Sequence, residues 1–208
     1  MYLDALVDSV REVWGHELTA ESFARANHRP GETAMPGVRN LLLGEGLERQ
    51  RIDGELRRWC DVFSVRYVER LDVTPTPHWE LAPRAVETLE VLRTRHEIAL
   101  LTGNPERVAH ARMTRLGLAR FFPPGGGAFG CEAEDRADLI AFARERAGGT
   151  PVDETFLVGD TPRDVEGAHA AGVRAIAVTT GEYDSRALSE ADLVLPSIAE
   201  LPAALAVC

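Results

Sequence analysis

The stretch FLVGDTPRDVEGAHAAGV, residues 156–173, constrains this chain more than any other. Apolar Phe156-Leu157-Val158 stops at Gly159, and two aspartates follow, Asp160 and Asp164, four residues apart across a Pro-containing turn. A helix of small residues runs on to Gly172, and a second apolar run, Val173 to Val178, comes next. Strand, acidic loop, helix, strand is a βαβ unit, whose crossover joins parallel strands. Open parallel sheets collect ligands at the carboxyl ends of their strands. Two close carboxylates at that edge suit a hard cation such as Mg²⁺, which takes oxygen ligands and keeps several waters.

The rest of the chain divides in two around that unit. Residues 1–70 show helical spacing and no strand: Leu3, Leu6, Val7, Val10 and Trp14 fall on one face, and Leu56, Trp59, Val62, Phe63 and Val68 on another. Asn27–Pro36, NHRPGETAMP, reads as a polar turn between helices. Residues 71–80 carry two prolines and read as a linker. Beyond them helices are expected at 83–95, 105–116 and 136–147, strands at 97–101 and 193–195, and a helix at the carboxyl end. Alternating strands and helices predict an α/β fold with a Rossmann-like parallel sheet. The expected domains are a helical module over 1–75 and an α/β core over 76–208.

At 208 residues and 45% hydrophobic the chain can bury one sizeable core. A net charge of −10 gives no electrostatic footprint for nucleic acid. No run of 18 apolar residues and no basic-then-apolar leader occurs, so neither a membrane span nor a secretory signal is expected. The three cysteines, Cys60, Cys131 and Cys208, lie far apart with no CxxC pair. That spacing predicts neither a disulfide framework nor a zinc site, and a reducing, cytoplasmic setting is the expectation. Every basic residue other than histidine is arginine, because the chain has no lysine.

Three pieces of the core carry chemistry. Ala99 to Pro105 is a strand ending in Thr102-Gly103-Asn104 before a helix, where a hydroxyl, backbone N–H groups and a helix start can donate to an anion. An ordinary capped turn is the plain alternative. Arg136 sits among carboxylates in GCEAEDRADLI and is either a surface ion-pair partner or a fixed cation for a site. Asp160 and Asp164 are either first-turn charges of a helix or metal ligands. Their order along the chain, strand-end hydroxyl, then cation, then acidic pair, is what phosphoryl chemistry requires.

LLTGN, EDRADL and LVGDTPRDVEGAHAAGV resemble motifs II, III and IV of the haloacid dehalogenase-like (HAD) superfamily, and most closely its phosphoglycolate phosphatase-like members. The resemblance covers nearly the whole chain, with residues 1–70 similar to the helical cap of these enzymes. It implies a Mg²⁺-dependent phosphomonoesterase acting on a small phosphorylated metabolite. Thr102, Gly103, Asn104 and Arg136 would bind phosphate, Asp160 would ligate the metal, and Asp164 would support its shell. Thr102, Arg136, Asp160 and Asp164 would form the catalytic set. Lysine is commoner at the position of Arg136, and in a lysine-free chain arginine must fill that role. The same lack of lysine argues against phosphonate-cleaving and sugar-phosphate mutase relatives, which lean on a cap lysine. The acidic pair argues against halide chemistry, which in this family needs no metal.

The family's nucleophile is the first aspartate of a DxD motif on the first core strand, and no D-x-D occurs in this sequence. MYLDALVDSVREVWG resembles the first cap helix, with Asp4 and Asp8 as exposed helix charges. The expectation is therefore a sheet lacking its first, central strand, and no aspartyl-phosphate formed by the chain as it stands. Three accounts compete: a start placed too late, a fragment, or a non-catalytic HAD-like binding or scaffold protein. A homo-oligomer, in which another chain fills the gap by strand addition, is also open. The segment Gly31-Glu32-Thr33-Ala34 resembles a substrate loop that often reads G-[KR]-T-D, with Glu32 in the basic position. Arg29 and Arg39 flank it and are expected as solvated charges. Trp14, Trp59 and Trp79 are expected in packing, His28, His78, His110 and His169 away from metals, and Gly125-Gly126-Gly127 as a flexible connection.

Overall fold

In a computed structural model describing residues 1–26 and 31–206, the helical periodicity of the first seventy residues becomes five helices. These are α1 (Tyr2–Trp14), α2 (Ala20–Arg25), α3 (Ala34–Gly44), α4 (Arg49–Asp53) and α5 (Leu56–Val73). Helix α1 buries Ala5, Ser9, Val10 and Trp14, residues at helical spacing, and turns at Gly15, whose φ of 65° suits glycine. It packs on the i, i+4 aromatic row of α5: Trp59, Phe63 and Tyr67. Tyr2 meets Phe63 edge-on at 5.1 Å and Trp59 stacks on Phe63 at 5.2 Å. The buried indole N–H of Trp59 donates to Ser9 Oγ at 2.9 Å, so the packing leaves that donor satisfied. Asp8 is half-buried and paired with Arg70 on α5, not a free helix charge. Two expectations shift by a few residues: α3 takes in Ala34–Pro36 of the supposed turn, and α5 runs three residues into the supposed linker. Asn27, His28, Arg29 and Cys208 lie outside the described residues.

The chain separates into two compact units, and the boundary is not the single cut expected at 75/76. The helical unit comprises 1–77 together with 102–112 and 129–134, and the α/β unit holds the remainder. The reason is a set of ties within the helical unit. Ala34 N–H donates to Gly103 O at 2.9 Å, and Thr33 Oγ1 to Glu134 O at 2.7 Å. Cys60 on α5 forms a disulfide with Cys131 (Cα–Cα 6.2 Å). The expectation of unlinked cysteines was wrong: 71 residues of sequence separation are erased by the fold, which sets the 129–134 segment against α5. A reducing compartment, argued from unpaired cysteines, loses that support.

The α/β unit contains α6 (Ala85–Leu92), α8 (Arg136–Arg146), α9 (Pro162–Ala170) and α10 (Leu201–Leu205) around a parallel sheet; α7 (Glu106–Arg115) falls mostly in the helical unit. The sheet has the order β3 (Phe156–Gly159), β4 (Arg174–Val178), β5 (Leu193–Leu195), with Phe156 opposite Arg174 and Ile176 opposite Leu193. The expected βαβ unit is therefore present, and the fold is α/β with parallel pairing. Strand alternation splits β4 between two cores. Ala175 and Ala177 face Ile140, Leu157, Val165 and Ala168. Ile176 and Val178 face Leu92, Leu195 and Leu201.

The strand expected at 97–101 shrinks to β1 (Leu101–Thr102), which pairs with β2 (Ala128–Phe129) in a sheet of its own. A strand exists through its partners, and the apolar run Ile98–Leu100 borders a cavity instead. The cavity measures about 530 Å³ and lies between that run and the free edge of β3; Leu92, Ile98, Leu100, Ile140, Phe156 and Val158 are among its walls. Val158, mid-strand and apolar, is 38% exposed. The glycine run 125–127 is not a slack connection. Gly127 has φ of 86°, and a Cβ there would strike the Leu100 carbonyl group, while Arg146 donates to Gly127 O at 2.7 Å.

Candidate active site

The acidic loop is built by the start of α9. Thr161 caps that helix: its Oγ1 accepts from Asp164 N–H at 3.3 Å, and Asp164 Oδ2 in return accepts from Thr161 N–H at 3.0 Å and Thr161 Oγ1 at 2.8 Å. Pro162 takes the first helical turn, where its missing N–H has no bond to lose. Asp164 is thus a first-turn charge that also closes a capping box, yet this does not exhaust the residue. Its other oxygen, Oδ1, accepts from Arg136 Nη1 at 3.0 Å, and both side chains are 12% exposed. Arg136 is the first residue of α8, so two helix starts meet through one nearly buried ion pair.

Asp160 lies at the carboxyl end of β3, half-buried. Burial, and next the Asp164 carboxylate, push its carboxyl above the usual aspartate range; the Arg136 charge opposes this and Glu182 adds to it. The local charge is therefore one guanidinium against a cluster of carboxylates. That donor set fits a hard divalent cation, which would relieve the repulsion on Asp160. Asp160 is the group that would ligate it directly, because both Asp164 oxygens are already engaged. Among the described residues no group of three or more His, Cys, Asp or Glu side chains is arranged to hold a metal, so water or ligand oxygens would complete the shell.

Thr102, Gly103 and Asn104 sit in the helical unit's set of contacts. Thr102 Oγ1 accepts from Asn104 N–H at 3.2 Å and from Asn104 Nδ2 at 3.1 Å, a turn closed by its own side chains. Gly103 is the point of close approach: a Cβ there would stand 2.6 Å from Glu32 O. The Gly31–Ala34 loop thus lies directly on the Thr-Gly-Asn turn. Arg39, expected to be solvated, is 7% exposed and bridges Asp53 and Glu134, with Nη1 to Glu134 Oε2 at 2.6 Å. It is a structural clamp, and its partner Glu134 is 95 residues away in sequence, beyond the reach of any local pattern. The structure thus joins Arg136, Asp160 and Asp164 in one unit and places the Thr-Gly-Asn turn in the other.

An acidic strand-end loop beside an ion-paired arginine, on a parallel α/β sheet, is the class of site the fold defines. The relatives narrow that class. A sequence model of the HAD-hydrolase-like family matches residues 136–201. Phosphoglycolate phosphatase 1 of Pseudomonas aeruginosa is 37% identical over 195 residues, 90% of this chain and 67% of its own length. The phosphoglycolate phosphatase of Pseudomonas syringae pv. tomato is 32% identical over 152 residues, 71% of this chain and 53% of its own. The chain belongs to the HAD-like hydrolase family. It spans about half the length of several of the curated relatives it matches. CbbY from Rhodobacter sphaeroides, solved with phosphate, superposes with a TM-score of 0.66 at 16% identity, over 96% of this chain and 88% of that one. A predicted phosphoglycolate phosphatase from Haemophilus somnus superposes at 0.61 and 18% identity, over 98% and 90%. At these identities the two structures speak for the fold alone.

Proposed function

We propose that this chain carries the phosphate- and metal-handling part of a Mg²⁺-dependent phosphomonoesterase for a small phosphorylated metabolite. The carrying observation is Asp160, held half-buried against the Arg136–Asp164 pair at the carboxyl end of β3. When bound there, Mg²⁺ would supply positive charge for the phosphoryl oxygens. Arg136 adds a permanent second charge, oriented by Asp164. Thr102 and the backbone N–H groups that follow it, in the helical unit, are neutral donors of the kind an anion takes. The relatives support phosphoglycolate as one candidate substrate. Glu32, on the loop that covers Gly103, argues for a substrate with less negative charge than a small dianion.

The nucleophile in this reading is an aspartate on an extended segment that occupies the cavity between Ile98–Leu100 and β3. The free edge of β3 offers backbone pairing, and the apolar walls suit a strand buried on both faces. A carboxylate oxygen would attack phosphorus, the substrate alcohol would leave with a proton, and water would then cleave the acyl phosphate to orthophosphate.

The test compares this chain with a form extended upstream of Met1 through its reading frame. Hydrolysis of p-nitrophenyl phosphate with Mg²⁺ by the extended form, its absence from the shorter one, and its loss on Asp160→Asn are the expected results. An upstream frame with no strand ending in Asp-x-Asp, or an extended form without Mg²⁺-dependent hydrolysis, overturns the reading in favour of a non-catalytic HAD-like binding protein.

A further inference from the structure

Two groups of glycines in the α/β unit contrast, and only one of them is explained by backbone conformation. Gly148, Gly149 and Gly172 have φ between 71° and 81°, with open space where a side chain would stand. Gly159, Gly167 and Gly181 have no such conformation, yet each faces one of the three charged side chains. A Cβ on Gly159 would stand 2.5 Å from Asp164 Oδ2, and one on Gly167 would stand 2.8 Å from Arg136 Cβ. A Cβ on Gly181 would overlap the Asp160 carboxylate, with Cγ at 2.9 Å and Cβ at 3.1 Å. Each contact lies well inside an ordinary carbon–carbon separation. Gly181 is the instructive one. It follows β4, 21 residues beyond Asp160 in sequence, and no local motif calls for glycine there.

We propose that Gly181 is a positioning residue: its absent side chain provides the space that sets the Asp160 carboxylate for metal binding. The inference rests on the reading of Asp160 as the metal ligand. Asp160 has two side-chain torsions, and its Cβ is fixed by the backbone. An added methyl group at 181 therefore cannot be cleared by a small movement of the carboxylate tip; the whole carboxyl must rotate away. Gly181 lies outside the strand, so the substitution breaks no strand pairing, while the rotation of Asp160 would remove the proposed ligand. Gly159 and Gly167 do the same for the partners of Asp160. Gly159 admits Asp164, and Gly167 lets the stem of Arg136 lie flat on α9, directing its guanidinium to Asp164.

The experiment is a titration of the chain with Mn²⁺ as probe, followed by electron paramagnetic resonance, on the unmodified protein, Gly181→Ala, Asp160→Asn and the double variant. Gly181→Ala is expected to weaken binding about 10–100-fold, the range seen when groups that orient a ligand are altered. The double variant is expected to bind no more weakly than Asp160→Asn alone, because the glycine acts through that carboxylate. Mn²⁺ binding by Gly181→Ala equal to that of the unmodified chain, or additive losses in the double variant, overturns the inference while the metal reading stands. Binding unchanged by Asp160→Asn, or no binding by the unmodified chain, overturns the metal reading and the inference together. Should Gly181→Ala fail to fold, Asp160→Ala/Gly181→Ala removes the carboxylate the methyl group would strike. Recovery of the folded state would support the collision, and continued failure would overturn it.

Discussion

Arg39 in the helical unit and Arg136 in the α/β unit are built alike and end differently. Each is a nearly buried guanidinium facing two carboxylates: Asp53 and Glu134 for Arg39, Asp164 and the nearby Asp160 for Arg136. Arg39 holds both of its partners below the usual carboxylate range. Arg136 does not achieve this for Asp160, which stays above it. Direct contact comes first and solvent second: Arg39 hydrogen-bonds both of its carboxylates, whereas burial dominates at Asp160. The side chains of Asp53 and Glu134 are 38% and 44% exposed, so water shares in stabilising them, whereas Asp164 is 12% exposed and Asp160 half-buried. One cation suffices at an exposed rim and is too few in a cleft. The helical cluster is finished as a structural clamp. The α/β cluster keeps its charge unbalanced, which the proposed Mg²⁺ would offset.

The largest effect that separates the units is covalent. The Cys60–Cys131 bridge joins two residues of the helical unit that are 71 apart in sequence, and the loop it closes runs out through 78–101 and 113–128 of the α/β unit. The chain-entropy relation gives about 4 kcal/mol for a loop of that length. Denaturant unfolding of the Cys60→Ser/Cys131→Ser variant, or of the reduced protein, should show a loss of that size. An unchanged midpoint would show that the bridge does not hold the two segments of the helical unit together.

Next in size is the comparison of the two arginines themselves. Arg136→Leu leaves Asp164 charged, buried and without its main cation, and should cost about 3 kcal/mol. Arg39→Leu leaves carboxylates that water can reach, and should cost about 1 kcal/mol. Equal losses in denaturant midpoints would show that exposure does not govern these clusters.

What could be seen in the sequence follows the same division. The acidic loop and its βαβ setting are local in sequence, so spacing and residue type were enough to place them. The runs at 156–158 and 193–195 became strands because each has a parallel neighbour. The run at 97–101 had the same composition and became mostly cavity wall, because pairing is a property of two segments and not of one. The disulfide and the Arg39–Glu134 pair were not legible, since they join residues 71 and 95 apart through packing that no periodicity records. Gly181 was missed for a related reason. Its φ needs no glycine, and only the position of Asp160 explains its lack of a side chain.

The smallest effect concerns the helical unit's other ionic cluster. Glu45 follows α3 and accepts from Arg25 Nη2 at 2.6 Å, with His16 Nε2 3.1 Å away. Arg25 first, and His16 next, hold the Glu45 carboxyl down at about 2, against about 4.3 for an unperturbed glutamate. The folded state therefore keeps its proton off at pH values where the unfolded chain binds one. Stability from this group is complete above the unfolded value and is lost as pH falls toward 2. Thermal unfolding of the protein and of Glu45→Gln should accordingly differ at neutral pH and converge as the pH drops from about 5 to about 2. The difference should be small, because Arg25, its first partner, is more than half exposed and water screens the pair. A gap that persists unchanged to the acid end would mean that Glu45 acts through packing, and that the helical unit's ion pairs are not the charge-balanced contacts that set it apart from Asp160.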